Sequence, residues 1–386
     1  MRRSADIETL LIVMPVSTQR GGGELMLEQF LRWKDDEIEV VVVFLQPGPM
    51  LQAAQDLGAR VYFVDAGRLR QPQRLLSAII KIARIAMRVN ADLVLGWMTK
   101  GHLYSGPAAG LVGTPAVWYQ LGTARSSSWL DRAAAAIPAR GILTLSCASA
   151  EAQSRIRPTR RQELVYPGAE LDDFNPDSLP CPAAARTQLG SAGEGPVVGM
   201  VGRLQRWKGF HVLIEAMPEV LARYPDATCV LVGGDHALEP EYPEVLRQQV
   251  SQLGITANVA FTGYQSDVPM WMQSMDVVVH ASANEPFGIV VIEAMALGKP
   301  VVAGSDGGPK EIITTDVHGL LVDFGDRDGL ARALLRLLDD PSLAKRVGEA
   351  ARQRATDFSA RKYAVNLTAA LRRLIVPVEV ASSTIR

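Results

Sequence analysis

The chain is 386 residues long, 48% hydrophobic and 6% aromatic, with a formal net charge of −1. That length favours two domains, and the near-neutral balance gives no reason to expect a nucleic-acid partner. Three scattered cysteines, Cys147, Cys181 and Cys229, form neither a disulfide framework nor a zinc pattern, which fits a reducing, cytoplasmic setting.

The first apolar run is TLLIVMPVS, from Thr9. It is too short to span a bilayer and contains Pro15, so it reads as a buried strand. VSTQRGGGELMLEQF (16–30) joins it to a helix. Gly21, Gly22 and Gly23 there let the backbone approach a ligand, although the spacing is not that of a dinucleotide fingerprint. EVVVVFLQ, RVYFVD, DLVLGW, PAVWYQ, GILTLS and LVYPG follow as strand candidates, separated by helix-length segments. Runs that are apolar throughout suit a parallel sheet covered on both faces.

One helical segment, RQPQRLLSAIIKIARIAMRVN (70–90), brings Arg74, Lys81, Arg84 and Arg88 within about 80° on a helical wheel. Two readings stand for it. One is peripheral contact with the inner face of an anionic membrane; the other is ordinary packing with a polar face outward. Charge is uneven along the chain: residues 1–170 hold 20 basic and 15 acidic residues, the remainder 20 and 26. The first half is therefore the better electrostatic match for an anionic surface.

Residues 165–185 contain four prolines and no periodicity, which sets a domain boundary. We expect domains at 1–170 and 171–358, then a terminal helical segment, 359–386, with a return to the first domain as one option. The second half supplies PVVGMVGR, TCVLVGG, VAFTGY, DVVVHAS, PVVAGSD and GLLVDF as strands, again alternating with helices. Each half is thus a doubly wound α/β layer, whose ligands bind beyond the carboxyl ends of the strands.

Two motifs at those ends carry charge. GRLQRWKGF (202–210) puts Arg203 and Lys208 between a strand and a helix, a site suited to a diphosphate. NEPFGIVVIEAMALGKP (284–300) holds Glu285 and Glu293 in an apolar setting. Pro286 predicts a helix start, with Glu285 just before it and Glu293 two turns inside. That separation is roughly 12 Å at about 1.5 Å per residue, close to the span from sugar to ribose in a nucleotide sugar. The plainer alternative is a helix cap and a rim acid. The histidines at 102, 211, 236, 280 and 318 lack ligand spacing, so no metal site is expected.

Taken in order, GGGE, GRLQRWKG, EPFGIVVIE and VVAGSDGGPKEII resemble the retaining glycosyltransferases of family 4, across nearly the whole chain and most densely from residue 196 to 325. The resemblance implies the GT-B architecture, two Rossmann-like doubly wound α/β domains facing across a cleft. It implies a hexosyltransferase-type enzyme that is retaining and metal-independent, with a nucleoside-diphosphate sugar as donor substrate and no cofactor. By analogy, the backbone at Gly22 meets the donor diphosphate, and Arg203 and Lys208 neutralise it. Glu285 contacts the donor sugar, the amides of Phe287, Gly288, Ile289 and Val290 line sugar and phosphate, and Glu293 binds the ribose hydroxyls. Arg203, Lys208 and Glu285 are the catalytic candidates.

Many relatives carry a histidine after the strand that here reads PAVWYQ; this chain has Gln120 and Leu121. Gln120 and His102 are the two candidates for the missing sugar or acceptor contact. The expected acceptor is a glycan, a lipid-linked or a small-molecule hydroxyl, as in glycan, polysaccharide or glycolipid biosynthesis. A sugar-nucleotide epimerase on the same scaffold, or a non-catalytic sugar-nucleotide binder, are the alternatives.

Overall fold

The computed structural model describes residues 6–17, 21–190 and 195–376. Its contacts divide the chain into two compact units, 1–167 with 360–386, and 168–359. Part of the GGG loop, residues 18–20, lies outside the described residues, as do the last ten positions of the terminal segment.

The first unit alternates strand and helix: β1 (Thr9–Met14), α1 (Gly22–Trp33), β2 (Glu39–Phe44), α2 (Met50–Asp56), β3 (Arg60–Phe63), α3 (Pro72–Arg88), β4 (Leu93–Trp97), α4 (Met98–Val112), β5 (Ala116–Gln120), α5 (Trp129–Ala136), β6 (Gly141–Thr144), α6 (Cys147–Ser154) and β7 (Gln162–Leu164). The sheet order is β3-β2-β1-β4-β5-β6-β7, every pair parallel. Central β1 is buried at all six positions, whereas edge strands β3 and β7 have no fully buried residue. Apolar runs without alternation therefore mark the strands covered on both faces. The last strand lies earlier than LVYPG suggests, because β6 pairs Ile142 to Thr144 with Gln162 to Leu164, while Pro167 has no N–H to give a ladder.

The second unit runs α7 (Pro182–Gln188), β8 (Val197–Val201), α8 (Phe210–Arg223), β9 (Thr228–Val232), α9 (Tyr242–Gln252), β10 (Val259–Gly263), α10 (Val268–Ser274), β11 (Val277–His280), α11 (Ile289–Ala296), β12 (Val301–Gly304), α12 (Pro309–Ile312), β13 (Leu320–Val322), α13 (Arg327–Asp339) and α14 (Pro341–Ala355). Its parallel sheet has the order β10-β9-β8-β11-β12-β13. Asp276 locks the amino end of β11 to β8, accepting from the Val197 amide at 2.7 Å and from Arg186 at 2.6 Å. The final helix, α15 (Ala360–Ile375), belongs to the first unit and packs along α1. Arg361 lies 4.6 Å from the Trp33 ring, and Arg372 pairs with Asp6 and Asp35.

Strand order reverses between β1 and β4 in one sheet and between β8 and β11 in the other. At such a point the two connections leave in opposite directions and open a crevice beyond the carboxyl ends. In the second unit the crevice is shaped by a close approach: Gly209, with φ +82°, lies where an added Cβ would stand 2.0 Å from the carbonyl oxygen of Ala281. Left-handed backbone alone costs a non-glycine residue about 1–2 kcal/mol. With the clash added, Gly209→Ala is expected to lower the melting temperature of the full chain by roughly 5 °C or more, at about 2–4 °C per kcal/mol for a unit of this size. A thermal melt within one degree of the parent would mean that the loop takes another path.

Candidate functional site

The reversal point of the second unit gathers its charged motif residues. Arg203 and Lys208 follow β8; His280 ends β11 and Glu285 follows it. The Ala283 amide donates to the Trp207 carbonyl at 2.7 Å and ties the two loops together. Lys208 Nζ then lies 2.6 Å from Glu285 Oε2, and His280 Nε2 lies 3.1 Å from the same oxygen. A carboxylate only accepts, so His280 carries its proton on Nε2 and donates. Lys208 Nζ also stands 4.1 Å from the centre of the Trp207 ring, a cation–π contact.

Glu285 is buried, which by itself would push its carboxyl upward. The Lys208 charge and the His280 hydrogen bond outweigh that burial and hold it well below the usual carboxylate range. Its backbone is fixed as well: the carbonyl accepts from the Gly308 amide at 2.8 Å, and Glu285 bridges Gly307 in parallel fashion. Arg203 is exposed and has no acidic partner among the described residues. Its guanidinium approaches His236 Nε2 at 3.5 Å, but His236 Nδ1 accepts from the Leu238 amide. That assignment leaves the proton on Nε2, so the approach is a contact and not a hydrogen bond, and the guanidinium stays available to an anion.

The helix bearing Glu293 begins later than Pro286 suggests. Gly288, at φ +105°, caps α11, and helical structure starts at Ile289. Bonding of Glu285 to Gly308 holds the preceding backbone extended, and Phe287 packs edge-on against Phe358 at 5.7 Å. Glu293 therefore sits just over one turn inside, on the fifth helical residue. The amides of Gly288, Ile289 and Val290 have no acceptor among the described residues, as expected at a helix amino end, where phosphate is favoured. Glu293 is buried without a hydrogen-bond partner among the described residues, and burial raises its pKa to about 7.

In the first unit, Gly22 is exposed at the first position of α1, and Trp97 Nε1 donates to the neighbouring Gly23 carbonyl at 3.0 Å. His102 is not available to a sugar. Its ring is fully buried and stacks on Trp118 at 5.3 Å, and burial pushes its pKa down to about 3. It is a neutral core residue of α4. Gln120 is also buried, at the carboxyl end of β5, with Oε1 placed 3.2 Å from Thr99 Oγ1. That hydroxyl also lies 3.1 Å from Asp131 Oδ1. One hydroxyl hydrogen serves one acceptor, and the charged Asp131 is the stronger, so Gln120 turns its NH2 toward Thr99.

The sequence reading missed His280. A histidine closing an apolar strand looks like core, and only its distance of five residues from Glu285 hinted at the bond. Among the described residues no group of three or more His, Cys, Asp or Glu side chains is placed to hold a metal ion.

Residues 183–354 match the family model for glycosyl transferases group 1. Over 203 residues the chain is 38% identical to a D-inositol 3-phosphate glycosyltransferase of Corynebacterium urealyticum, a match covering 52% of this chain and 48% of that protein. Over 167 residues it is 36% identical to the lipopolysaccharide core biosynthesis glycosyltransferase LpsE of Rhizobium meliloti, covering 43% and 46% respectively. The chain thus spans about half the length of the curated relatives it matches. Among solved structures, Anabaena Alr3699/HepE in complex with UDP-glucose is similar at a TM-score of 0.83 and 27% identity, covering 95% of this chain and 100% of that one. Two parallel sheets in two Rossmann-like units are the GT-B fold.

Because the folded pKa of Glu293 lies above that of an unfolded glutamate, the native state retains a proton that the unfolded state has lost, and stability falls as pH rises between roughly 4.5 and 7. Glu293→Gln removes this loss. The variant is expected to melt higher than the parent at pH 8, with the gain shrinking steadily toward pH 5. Equal gains at both pH values, in matched thermal melts, would show that the carboxyl titrates normally.

Proposed function

We propose, from the match of residues 183–354 to the model for glycosyl transferases group 1, that the chain moves a hexose from a nucleoside-diphosphate sugar to an acceptor hydroxyl, with retention at the anomeric carbon. The observation that carries the reading is the Lys208–Glu285–His280 cluster beside the open amides of α11 and the unpartnered Glu293. These groups supply, in one crevice, partners for phosphate, sugar hydroxyls and ribose hydroxyls. The likeness to HepE, crystallised with UDP-glucose, supports a uridine nucleotide as donor. The LpsE relative supports a glycan or lipid-linked acceptor, and the inositol-phosphate relatives support a small-molecule one.

In this reading the diphosphate rests on the amides of Phe287, Gly288, Ile289 and Val290, with Arg203 and Lys208 as its cations. As the bond between anomeric carbon and phosphate oxygen breaks, negative charge grows on that oxygen, where fixed cations stabilise it most. The acceptor oxygen bonds to the anomeric carbon on the face being vacated, and its proton passes to the departing phosphate. Glu285, ionised at neutral pH, accepts hydrogen bonds from the sugar and is not assigned a covalent role. His280 holds its orientation.

Assayed in excess chelator, Arg203→Ala and Lys208→Ala are each expected to lower turnover by about 10²-fold or more, the usual loss of a transition-state charge partner. Near-normal kinetics in either folded variant would remove that residue from the role, and activity restored only by Mg²⁺ or Mn²⁺ would overturn the metal-independent reading. Nucleotide released equally with and without acceptor would point away from transfer altogether.

The two glutamates separate in a second assay. Glu293→Ala is expected to raise KM for the donor with kcat little changed, since the ribose is remote from the reacting bond; Glu285→Ala is expected to lower kcat. The opposite pattern would reverse the orientation of the donor.

A further inference from the structure

Helix α3 belongs to the first unit and carries none of the residues assigned to transfer, and its surface is unusual in two respects. From Ala66 to Ala91 the chain contains six basic residues, Arg68, Arg70, Arg74, Lys81, Arg84 and Arg88, and no acid. Arg74 reaches Asp65 at 3.7 Å, with both side chains more than half exposed. Lys81, Arg84 and Arg88 have no ion-pair partner among the described residues.

The second respect is apolar. Packing against the sheet is satisfied by Ala78, Ile82, Ala83 and Ala86, all buried. Three large side chains nevertheless face outward: Leu76 is 58% exposed, Ile80 37% and Met87 57%. At 100° per residue these three fall within about 40° of one another, and Arg84, Arg88 and Lys81 occupy roughly the next 100°. An amphipathic helix that only packs inward has no need of this outer aliphatic stripe.

We propose that this face of α3 docks on an anionic lipid surface. Leu76, Ile80 and Met87 enter the boundary between headgroups and acyl chains, while Arg84, Arg88 and Lys81 lie among the lipid phosphates, their stems extended along the interface. The attachment is peripheral, since among the described residues no helix is long and apolar enough to cross a membrane. A nucleic acid matches the cations but not the aliphatic stripe, which offers no ring on which bases stack.

The test is co-sedimentation of the full chain with vesicles of phosphatidylglycerol and phosphatidylcholine, and with phosphatidylcholine alone. Binding is expected on the anionic vesicles in 0.1 M salt and should weaken strongly in 1 M salt, as the screening length shrinks from about 10 Å to about 3 Å. The variant Lys81→Gln/Arg84→Gln/Arg88→Gln is expected to bind at least roughly 30-fold less tightly, each cation near a membrane being worth about fivefold. Leu76→Gln/Ile80→Gln/Met87→Gln should also lose binding at both salt concentrations. All six side chains are at the surface, so parent-like melting is expected and checks the fold of each variant. Absence of binding to anionic vesicles at low salt overturns the proposal. So does parent-like binding by either triple variant, or tighter binding to single-stranded polynucleotide that ignores the apolar substitutions.

Discussion

A carboxylate taken out of water needs compensation, and in this protein that requirement is concentrated on Glu285. Lys208 and His280 meet it together, one from the connection after β8 and the other from the end of β11. They meet only because β8 and β11, far apart in sequence, are neighbours in the sheet. Much of the local backbone follows from keeping them there: the Ala283–Trp207 bond, the left-handed turn at Gly209 pressed on Ala281, and the bridge from Glu285 to Gly307. Replacing one member would leave another charged or polar group buried without its partner, which is the costly way to break such a pair.

The two glutamates make an internal comparison. Both are buried on one short segment, yet the carboxyl of Glu285 is driven down and that of Glu293 is driven up to about 7. The difference lies in what each faces. Glu285 has a cation and a donor supplied by the protein, whereas Glu293 has burial alone. A carboxylate held in that condition gains most from a ligand that brings its own hydroxyl donors. Glu285 is already satisfied by Lys208 and His280.

Much of this was legible in the residues. Strands buried on both faces announce themselves as unbroken Val, Ile and Leu runs, and the crossover rule then places Arg203, Lys208 and Glu285 near one another. What was not legible depended on packing. The start of α11 is decided by the hydrogen bond that Gly308 gives Glu285 and by the backbone at Gly288, which overrule the helix-starting tendency of Pro286. His102 and Gln120 stand near strand ends, where side chains often meet ligands, but Trp118 and Thr99 take them up. The role of His280 was hidden for the opposite reason: a core-like position whose polar neighbours, Glu285 and Ser282, come from the loop that follows it. The outward stripe on α3 was likewise invisible, because the helical wheel shows which residues share a side but not which of two apolar sides meets the sheet.

Helix α15 has a consequence for how the chain is completed. It contributes buried Tyr363, Leu367, Leu371 and Leu374 to the first unit, although some 190 residues of the second unit intervene in sequence. The second unit is contiguous and has all its parts once Ser359 has been made. The first unit, begun at Thr9, has an unfilled seam along α1 until α15 leaves the ribosome. Completion thus runs against the order of synthesis, reversing the usual amino-terminal lead. Until then the apolar flank of α1 is the surface that a nascent-chain chaperone would have to shield.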